Sequence, residues 1–348
     1  MKILITGNLG YVGPGLVREI KHRYPTAEII GYDVGYFAKY VTSPSIIPEA
    51  FADVQYYGDI RNFPAEILTD VDAVVSLAAI SNDPIGNQFE EPTMAINYKA
   101  NLNLAKHAKE SGVRRFIFAS SCSVYGAAED TPRTEKSSLN PLTAYAKSKI
   151  KSEEELEKLV TPNFQVTCLR FATACGMSER LRLDLVLNDF VAGAVTAKKI
   201  DILSDGTPWR PLIHVLDMAR AIAWAIQRND DTGGAFLTIN TGSNQWNYQV
   251  KDLAYAVNNY LPEVKVFINE NAEPDKRSYR VNFDLFEKLA PFQQPQYDLQ
   301  ATVNHLVDGL RSIGFADQDF RNSELMRLNV IKSLLSQQVI DSNLALIT

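Results

Sequence analysis

The hydrophobic positions in the first half of the chain follow two alternating patterns. Short runs rich in Val, Ile and Phe are typical of strands that are buried on both faces of a sheet, and they occur at residues 2–6, 28–33, 73–77, 115–120 and 165–171. Between these runs, apolar residues recur at helical spacing over residues 11–24, 91–111 and 144–159. This alternation of strands and helices predicts an α/β fold with a doubly wound parallel sheet.

The pattern is less regular after about residue 172. Helical spacing returns over residues 183–197 and 213–227, and short apolar runs at residues 200–203 and 235–240 predict two more strands. We therefore predict a main domain over residues 1–172 and about 213–240, with at least one late strand in the main sheet. A smaller C-terminal domain is predicted over residues 173–212 and 241–325. Residues 326–348 form a tail, in which the spacing of Leu328, Ile331, Leu335 and Val339 predicts one amphipathic helix against the body or a partner.

Composition and charge exclude several classes of protein. Of the 348 residues, 46% are hydrophobic, which is enough for a buried core and excludes a disordered chain. The formal net charge of −6, from 35 basic and 41 acidic residues, argues against a nucleic-acid-binding surface. No apolar run is long enough for a bilayer span, and the first glycine comes too early for a signal peptide. Three cysteines without paired spacing predict neither disulfides nor a zinc site. We expect a cytoplasmic protein that binds neither nucleic acid nor a membrane.

A glycine-rich turn follows the first predicted strand and opens the first helix. Gly7, Gly10 and Gly13 allow a tight turn, a close approach of the backbone to a pyrophosphate and close packing of helix on strand. The helix N-terminus then offers free N–H groups to the phosphates. Asp33 closes the second strand about 20 residues later. Its carboxylate suits the hydroxyls of an adenosine ribose and repels a 2′-phosphate, so the pattern favours NAD over NADP.

Tyr145 and Lys149 have the i, i+4 spacing that places two side chains on one face of a helix. Upstream, the apolar run 115–119 leads into the serine-rich stretch 120–123, where a strand of such a sheet ends. A hydroxyl, a phenol and an ammonium group in this arrangement can exchange the proton of an alcohol while a hydride passes to or from nicotinamide. We expect the Lys149 cation and the nicotinamide ring to lower the pKa of Tyr145 from about 10 toward neutrality.

An acidic run, residues 153–155, lies on the same predicted helix. Lys149–Glu153 and Lys151–Glu155 have the spacing of helical ion pairs. We interpret the run as a solvated helix face.

Taken in order, residues 6–13, Asp33, Ser121, Tyr145 and Lys149 resemble the extended short-chain dehydrogenase/reductase superfamily, in its nucleotide-sugar epimerase/dehydratase branch. The resemblance covers roughly residues 1–310 and implies a Rossmann-type sheet with a smaller C-terminal substrate-binding domain. It further implies that Tyr145 is the general acid/base, that Lys149 lowers its pKa and binds the nicotinamide ribose, and that Ser121 hydrogen-bonds the reacting sugar oxygen. The implied NAD-binding residues are Gly7, Gly10, Tyr11, Val12, Gly13, Asp33, Asp59, Ile60, Leu77, Ala78, Ala79, Asn97, Tyr145 and Lys149.

The second half resembles the substrate side of the same family. Residues 205–217 match its substrate-domain signature, which implies that Arg210 grips a nucleotide diphosphate. Ala272 stands where relatives carry a second such arginine, and Arg277 or Arg280 is the candidate substitute. Arg180 and Arg182 precede the helix at 183–197, as phosphate ligands or as surface residues. The candidate substrate-binding residues are Ser121, Cys122, Ser123, Thr173, Arg180, Arg210 and Arg280.

Departures from the family pattern narrow the chemistry. Cys122 and Ser123 stand where nucleotide-sugar 4,6-dehydratases carry Asp-Glu, and neither can replace a carboxylate in the elimination of water. Thr173 replaces a substrate-contacting Asn, and Ser81 replaces the lysine of UDP-galactose 4-epimerase, so UDP-galactose is not implied as the substrate. UDP, GDP, CDP and dTDP all remain open as the nucleotide.

The sequence therefore predicts an NAD-dependent nucleotide-sugar epimerase, acting at C4 through a 4-keto sugar. A C4 dehydrogenase or a 4-keto-sugar reductase would use the same three residues and is the alternative. A non-catalytic NAD-binding scaffold is less consistent with the retained Tyr145 and Lys149. The resemblance also implies a homodimer through the helices at 91–111 and 144–159, whose apolar faces suit either a partner or the sheet.

Overall fold

The computed structural model describes residues 1–43, 48–81, 83–127, 131–272 and 277–347. The strands are β1 (Lys2–Thr6), β2 (Glu28–Asp33), β3 (Val54–Tyr57), β4 (Ala73–Ser76), β5 (Arg115–Ser121), β6 (Gln165–Phe171), β7 (Thr173–Cys175), β8 (Lys199–Ile202), β9 (Trp209–His214), β10 (Phe236–Thr241), β11 (Asn247–Gln249) and β12 (Lys265–Ile268). The helices are α1 (Gly13–Arg23), α2 (Asp83–Gln88), α3 (Glu90–Met94), α4 (Asn101–Glu110), α5 (Ala144–Glu157), α6 (Val186–Ala197), α7 (Val215–Gln227), α8 (Val250–Tyr260), α9 (Asp284–Leu289), α10 (Leu299–Ser312) and α11 (Arg327–Ser336).

The main sheet has seven strands in the order β10-β6-β5-β4-β1-β2-β3. All of its strand pairs are parallel, from Ile3 beside Ile29 in the middle to Leu237 beside Thr167 at one edge. This confirms the doubly wound α/β fold and the return of a late strand to the sheet. The sequence missed β3, because this edge strand exposes Tyr56 and Tyr57 and has no continuous apolar run.

Both faces of this sheet are covered, which explains the apolar runs of its strands. Successive side chains of a strand point to opposite faces, so Ile3 and Ile5 pack with α1 and α7 while Leu4 packs on the side of α4. The predicted helix at 91–111 is divided in the structure, where a π-helical segment (Ala95–Ala100) joins α3 to α4. Asn101 causes part of this irregularity, because its side-chain amide donates to the carbonyls of Ile96 and Asn97.

The chain beyond β6 adds two small sheets, β11-β9-β7 and β12-β8, beside the main one. The side chains of α6, α8 and α10 form a third apolar core, with Phe190, Leu253 and Leu306 buried in it. The amphipathic helix predicted in the tail is present as α11, and its Ile331 is buried against the main sheet. Among the described residues, no helix is long and apolar enough to cross a membrane.

Candidate active site

A cavity of about 710 Å³ lies at the carboxyl ends of β1, β4 and β5 and extends to the small sheet that contains β9. This is where an open parallel sheet places its ligands, because the chain turns away from the sheet on both sides there. Gly7, Asp33, Tyr145 and Arg210 all line this cavity. The structure thus brings together candidate residues that are up to 203 positions apart in the sequence.

The glycine turn forms one end of the cavity. Gly7 has a φ of +75°, and an added Cβ would lie 2.5 Å from the backbone nitrogen of Ala78, so only glycine fits there. At Gly10 an added Cβ would meet only the carbonyl of Gly7, at 3.1 Å. Within the described residues, no side chain caps the N-terminus of α1 and no acid lies in its first turn. The turn therefore presents open backbone and uncapped amides, which suits a diphosphate.

Asp33 lies beside this turn, at the end of β2. Its Oδ2 accepts a hydrogen bond from the Leu9 amide at 3.1 Å, and its Oδ1 accepts one from the Gly35 amide at 2.7 Å. Burial raises the pKa of this carboxyl, while the two amides and the nearby arginines counteract the rise. Each oxygen keeps further acceptor capacity toward the cavity, as a ribose diol requires.

The other residues assigned to NAD divide into a lining group and a supporting pair. The lining residues are Tyr11, Val12, Asp59, Ile60, Leu77, Ala78 and Ala79. Gly13 instead packs against the backbone of Asn8. Asn97 accepts from the Ile80 amide at 2.7 Å and donates to the Ile80 carbonyl at 2.9 Å, so it fixes the chain that follows β4.

Ser121, Tyr145 and Lys149 meet where β5 ends and α5 begins. Thr143 caps α5 by accepting from the Ala146 amide, which sets the direction in which Tyr145 enters the cavity. The Lys149 Nζ donates to the Ala119 carbonyl at 2.6 Å and lies 5.5 Å from the centre of the Tyr145 ring. Three groups from two elements thus converge on one wall of the cavity.

The electrostatics of Tyr145 differ from the expectation. Burial raises the pKa of its phenol to about 12, although Ser121 faces the phenol closely enough to counteract the rise. Burial also lowers the pKa of Lys149 to about 8. The Lys149 ammonium is directed to a backbone carbonyl, so the protein groups alone do not lower the pKa of Tyr145.

The interpretation of residues 153–155 as a solvated face is wrong for Glu153. This residue is 5% exposed and forms an ion pair with Arg170 of β6 at 2.6 Å. It also accepts a hydrogen bond from Ser120, directly before the candidate Ser121. The expected pairs with lysine do not form as predicted, because Lys149 binds the Ala119 carbonyl and Glu155 pairs with Lys158. A buried carboxylate therefore holds β5, β6 and α5 together beneath the site.

Only some of the residues assigned to the substrate line the cavity. Ser121, Ser123, Thr173 and Arg210 line the cavity, and the buried hydroxyl of Ser123 has no hydrogen-bond partner among the described residues. Cys122 points the other way, where its Sγ donates to the Arg170 carbonyl and burial raises the pKa of the thiol.

The arginine candidates follow the same division. Arg210 lines the cavity and donates to the Trp209 carbonyl at 2.8 Å and to the Arg277 carbonyl. Arg277 also lines it, whereas the Arg280 guanidinium lies 5.2 Å over the Trp209 ring. Arg180 is 0% exposed and donates to the carbonyls of Phe37 and Ala38, so it is not a surface residue.

Sequence reasoning missed several polar residues of the cavity, among them Asp83, Asp184 and Arg327. Asp83 accepts from Thr143 at 2.8 Å and pairs with Arg277 at 2.9 Å, so it links α5 to the loop before Arg280. Asp184 forms a two-pronged ion pair with Arg182, and Arg327 enters from the tail. Arg182 also donates to the Ser81 hydroxyl at 2.9 Å. Ser81 is the residue that replaces the lysine of UDP-galactose 4-epimerase. No local motif marks any of these residues.

Comparisons with known proteins agree with this architecture. The model of the family described as "NAD dependent epimerase/dehydratase family" matches residues 3–241. A Bacillus subtilis (strain 168) protein named "Uncharacterized UDP-glucose epimerase YtcB" is 29% identical over 64% of this chain and 71% of its own length. A "UDP-glucose 4-epimerase" of Pasteurella multocida (strain Pm70) is 26% identical over 74% and 81%, respectively.

A similar solved structure is the UDP-glucuronic acid 4-epimerase of Bacillus cereus in complex with UDP-glucuronic acid and NAD. It superimposes with a TM-score of 0.75 at 21% identity and covers 90% of this chain and 100% of its own. The open glycine turn, the uncapped α1 and the Asp33 carboxylate fit a dinucleotide without a 2′-phosphate. The chain therefore belongs to the NAD dependent epimerase/dehydratase family, and its cofactor is NAD.

Proposed function

We propose that this chain is a nucleotide-sugar 4-epimerase that acts through a 4-keto sugar. The observation that carries the proposal is the convergence of Ser121, Tyr145 and Lys149 in one cavity that Arg210 and Arg277 also line. The first three residues suit an alcohol under oxidation, and the two arginines suit a diphosphate. The relatives named as UDP-glucose epimerases support this assignment.

In the proposed reaction, Tyr145 takes the proton of the C4 hydroxyl while the C4–H bond breaks and the carbon becomes a ketone. NAD⁺, which the glycine turn and Asp33 would hold, would supply the reversible hydride acceptor for this step, and its positive ring would favour the phenolate of Tyr145. The Ser121 hydroxyl donates to the developing carbonyl oxygen, which holds this oxygen beside the phenol. When hydride returns to the opposite face of C4, Tyr145 gives the proton back, so protons and electrons balance over the cycle.

Arg210 is proposed to anchor the diphosphate while the sugar reorients. A guanidinium binds a diphosphate in a fixed fork, so the nucleotide end stays bound while the keto sugar reorients. Arg210 is itself held by the carbonyls of Trp209 and Arg277. We assign the substrate class as a nucleoside diphosphate hexose for this reason.

The arrangement does not favour a dehydratase that needs an acid pair beside the serine. Cys122 is buried away from the cavity, and Ser123 has a hydroxyl in place of a carboxylate. Asp83, a carboxylate of the cavity wall, already binds Thr143 and Arg277. The acid and base groups that elimination of water requires are therefore less well provided here than those that epimerisation requires.

The test begins with the cofactor that the purified protein retains, quantified by mass spectrometry after denaturation. The protein is then incubated with UDP-glucose, UDP-glucuronic acid and UDP-N-acetylglucosamine, and the configuration at C4 is followed by NMR. We expect close to one NAD⁺ per chain and inversion at C4 of one sugar, with no change in the absorbance of free NADH. Net production or consumption of NADH in step with turnover would identify a dehydrogenase or reductase and refute the epimerase.

The homodimer remains a prediction. We propose that residues 91–111 and 144–159 form its interface, as the family resemblance implies. Light scattering coupled to gel filtration measures the mass in solution directly. A mass of one chain at micromolar concentration would contradict the proposal.

A further inference from the structure

The tail of the chain passes over the cavity between the two packed parts of the molecule. Phe320 and Met326 pack with the third apolar core, which α6, α8 and α10 form. Ile331 lies about one and a half helical turns after Met326 and is buried against the main sheet. Arg321, Met326 and Arg327 line the cavity at this crossing. These residues lie outside the segment that the family model matches.

Arg327 is held in the cavity wall with an unused donor. Its side chain is 3% exposed, and its guanidinium lies 4.0 Å over the Phe37 ring. One nitrogen donates to the Arg180 carbonyl at 3.2 Å. The other terminal nitrogen, Nη1, is buried without a hydrogen-bond partner among the described residues. A buried cationic donor of this kind is costly unless an acceptor completes it.

Arg327 and its charged neighbours together carry one more positive than negative charge. Arg180 and Arg182 lie near it, against the carboxylates of Asp33 and Asp184. Burial and the two neighbouring arginines lower the pKa of Arg327 to about 9. An anion bound here would offset both the burial and the repulsion.

The position of Arg327 along the cavity indicates which anion this is. Asp33, the candidate ligand of the adenosine ribose, is one electrostatic neighbour of Arg327. Arg182 is another, and it donates to Ser81 and influences Tyr145, the residue proposed to act beside the nicotinamide. The group between the two riboses of a dinucleotide is its diphosphate. Arg210 and Arg277, the candidates for the substrate diphosphate, belong to other elements.

We propose that Arg327, carried into the cavity by α11, binds the diphosphate of NAD, so that residues 320–331 form a clasp over the bound cofactor. The proposal rests on the NAD site but not on the sugar reaction. The clasp joins the two packed parts of the molecule through the cofactor, which favours long retention of NAD by an enzyme that returns its hydride in place.

The first experiment compares Arg327→Gln with the wild type by calorimetric titration, after removal of retained cofactor. Loss of a charge-assisted phosphate contact should weaken NAD⁺ and ADP-ribose by about ten- to a hundredfold, and leave UDP unchanged. Lys332→Gln is the matched control, because Lys332 is an exposed cation on the same helix. Unchanged NAD⁺ affinity in Arg327→Gln, or a loss confined to UDP, would overturn the proposal and leave the epimerase intact.

The second experiment needs no variant and holds if Arg327→Gln folds poorly. Hydrogen exchange of the wild-type protein is measured alone, with NAD⁺, with adenosine and with UDP. NAD⁺ should slow exchange of the α11 amides, and adenosine, which lacks phosphates, should not. Protection by NAD⁺ at the β1–α1 turn without protection of α11 would overturn the clasp. Wild-type protein that binds no NAD⁺ would overturn the cofactor site together with the clasp.

Discussion

The two ends of the cavity are built in different ways. The proposed cofactor end contains backbone of the β1–α1 turn and the carboxylate of Asp33, all within the first 33 residues. The proposed substrate end contains arginine side chains, Arg210 and Arg277, from separate segments of the later chain. A dinucleotide is a constant ligand that a local motif can recognise, whereas a sugar nucleotide is recognised by side chains that tertiary structure collects. Three substitutions and one change of pH test the two ends and the packing that supports them.

Tyr145→Phe should separate chemistry from binding at both ends. Removal of the phenolic oxygen takes away proton exchange, which typically contributes about a hundred- to ten-thousandfold to the rate. We expect turnover to fall by that factor while the affinities for NAD⁺ and UDP stay within about twofold. Steady-state kinetics and calorimetric titration measure the two quantities. Turnover near the wild-type rate would exclude Tyr145 as the acid/base.

Arg170→Met should lower the stability of the packing of β5, β6 and α5 beneath the cavity. It leaves the Glu153 carboxylate buried between β5 and α5 without its partner, which typically costs about 3–5 kcal/mol. Urea unfolding measures the loss of free energy of unfolding. The double variant Arg170→Met, Glu153→Leu serves as the control, since it removes both charges and should recover much of the stability. A single variant as stable as the wild type would show that Glu153 finds another partner.

Arg210→Gln should affect the substrate end alone. Loss of a charged contact to the diphosphate should weaken UDP by about ten- to a hundredfold and leave NAD⁺ unchanged. Arg280→Gln is the comparison variant, because Arg280 lies over Trp209 and does not line the cavity within the described residues. An equal loss of UDP affinity in Arg280→Gln would show that both arginines reach the diphosphate.

A pH change should report on the junction where the small sheet meets α7. His214 is buried, caps α7, stacks on Tyr297 at 3.8 Å and shares a hydrogen bond with His305 at 2.9 Å. Burial and His305 lower the pKa of His214 to about 3, whereas an unfolded histidine titrates near about 6.5. The unfolded state therefore takes up protons first as the pH falls through about 6.5, and stability is lost on acidification.

Between pH 7.5 and 5.5 this single group should cost about 1.4 kcal/mol of unfolding free energy. Urea unfolding at the two pH values is compared between the wild type and His214→Asn, because only the difference in pH dependence isolates the group. His107→Asn is the control, since His107 is half-exposed on α4. A wild-type pH dependence equal to that of His214→Asn would show that the folded state binds a proton at His214 as readily as the unfolded state does.

Much of the cofactor end could be predicted from the sequence because its signals are local. The turn at Gly7, the strand that ends in Asp33 and the helical spacing of Tyr145 and Lys149 each lie within one strand–helix unit. The fold class was predicted from the alternation of strands and helices along the chain, and the parallel seven-stranded sheet confirms it. The positive φ of Gly7 could be predicted from the neighbouring residues of the turn alone.

Other features could not be predicted because their energies depend on distant residues. Glu153 resembles a solvated residue until Arg170 of β6 is placed beside it. Arg182 donates to Ser81 across 101 positions of sequence, and Tyr145 is half-buried among side chains from several segments.

The α/β fold, the glycine turn, Asp33 and the helical spacing of Tyr145 and Lys149 were predictable from the sequence alone, since periodicity and turn chemistry act over a few residues. The arginines that face the cavity became known only when the packing of the whole chain was known. A guanidinium is stable on the surface, in an ion pair or beside a bound anion, and the choice depends on the groups that packing brings near it. Arg180 donates to backbone carbonyls, Arg210 lines the cavity, and Arg327 of the tail keeps one buried donor without a partner among the described residues.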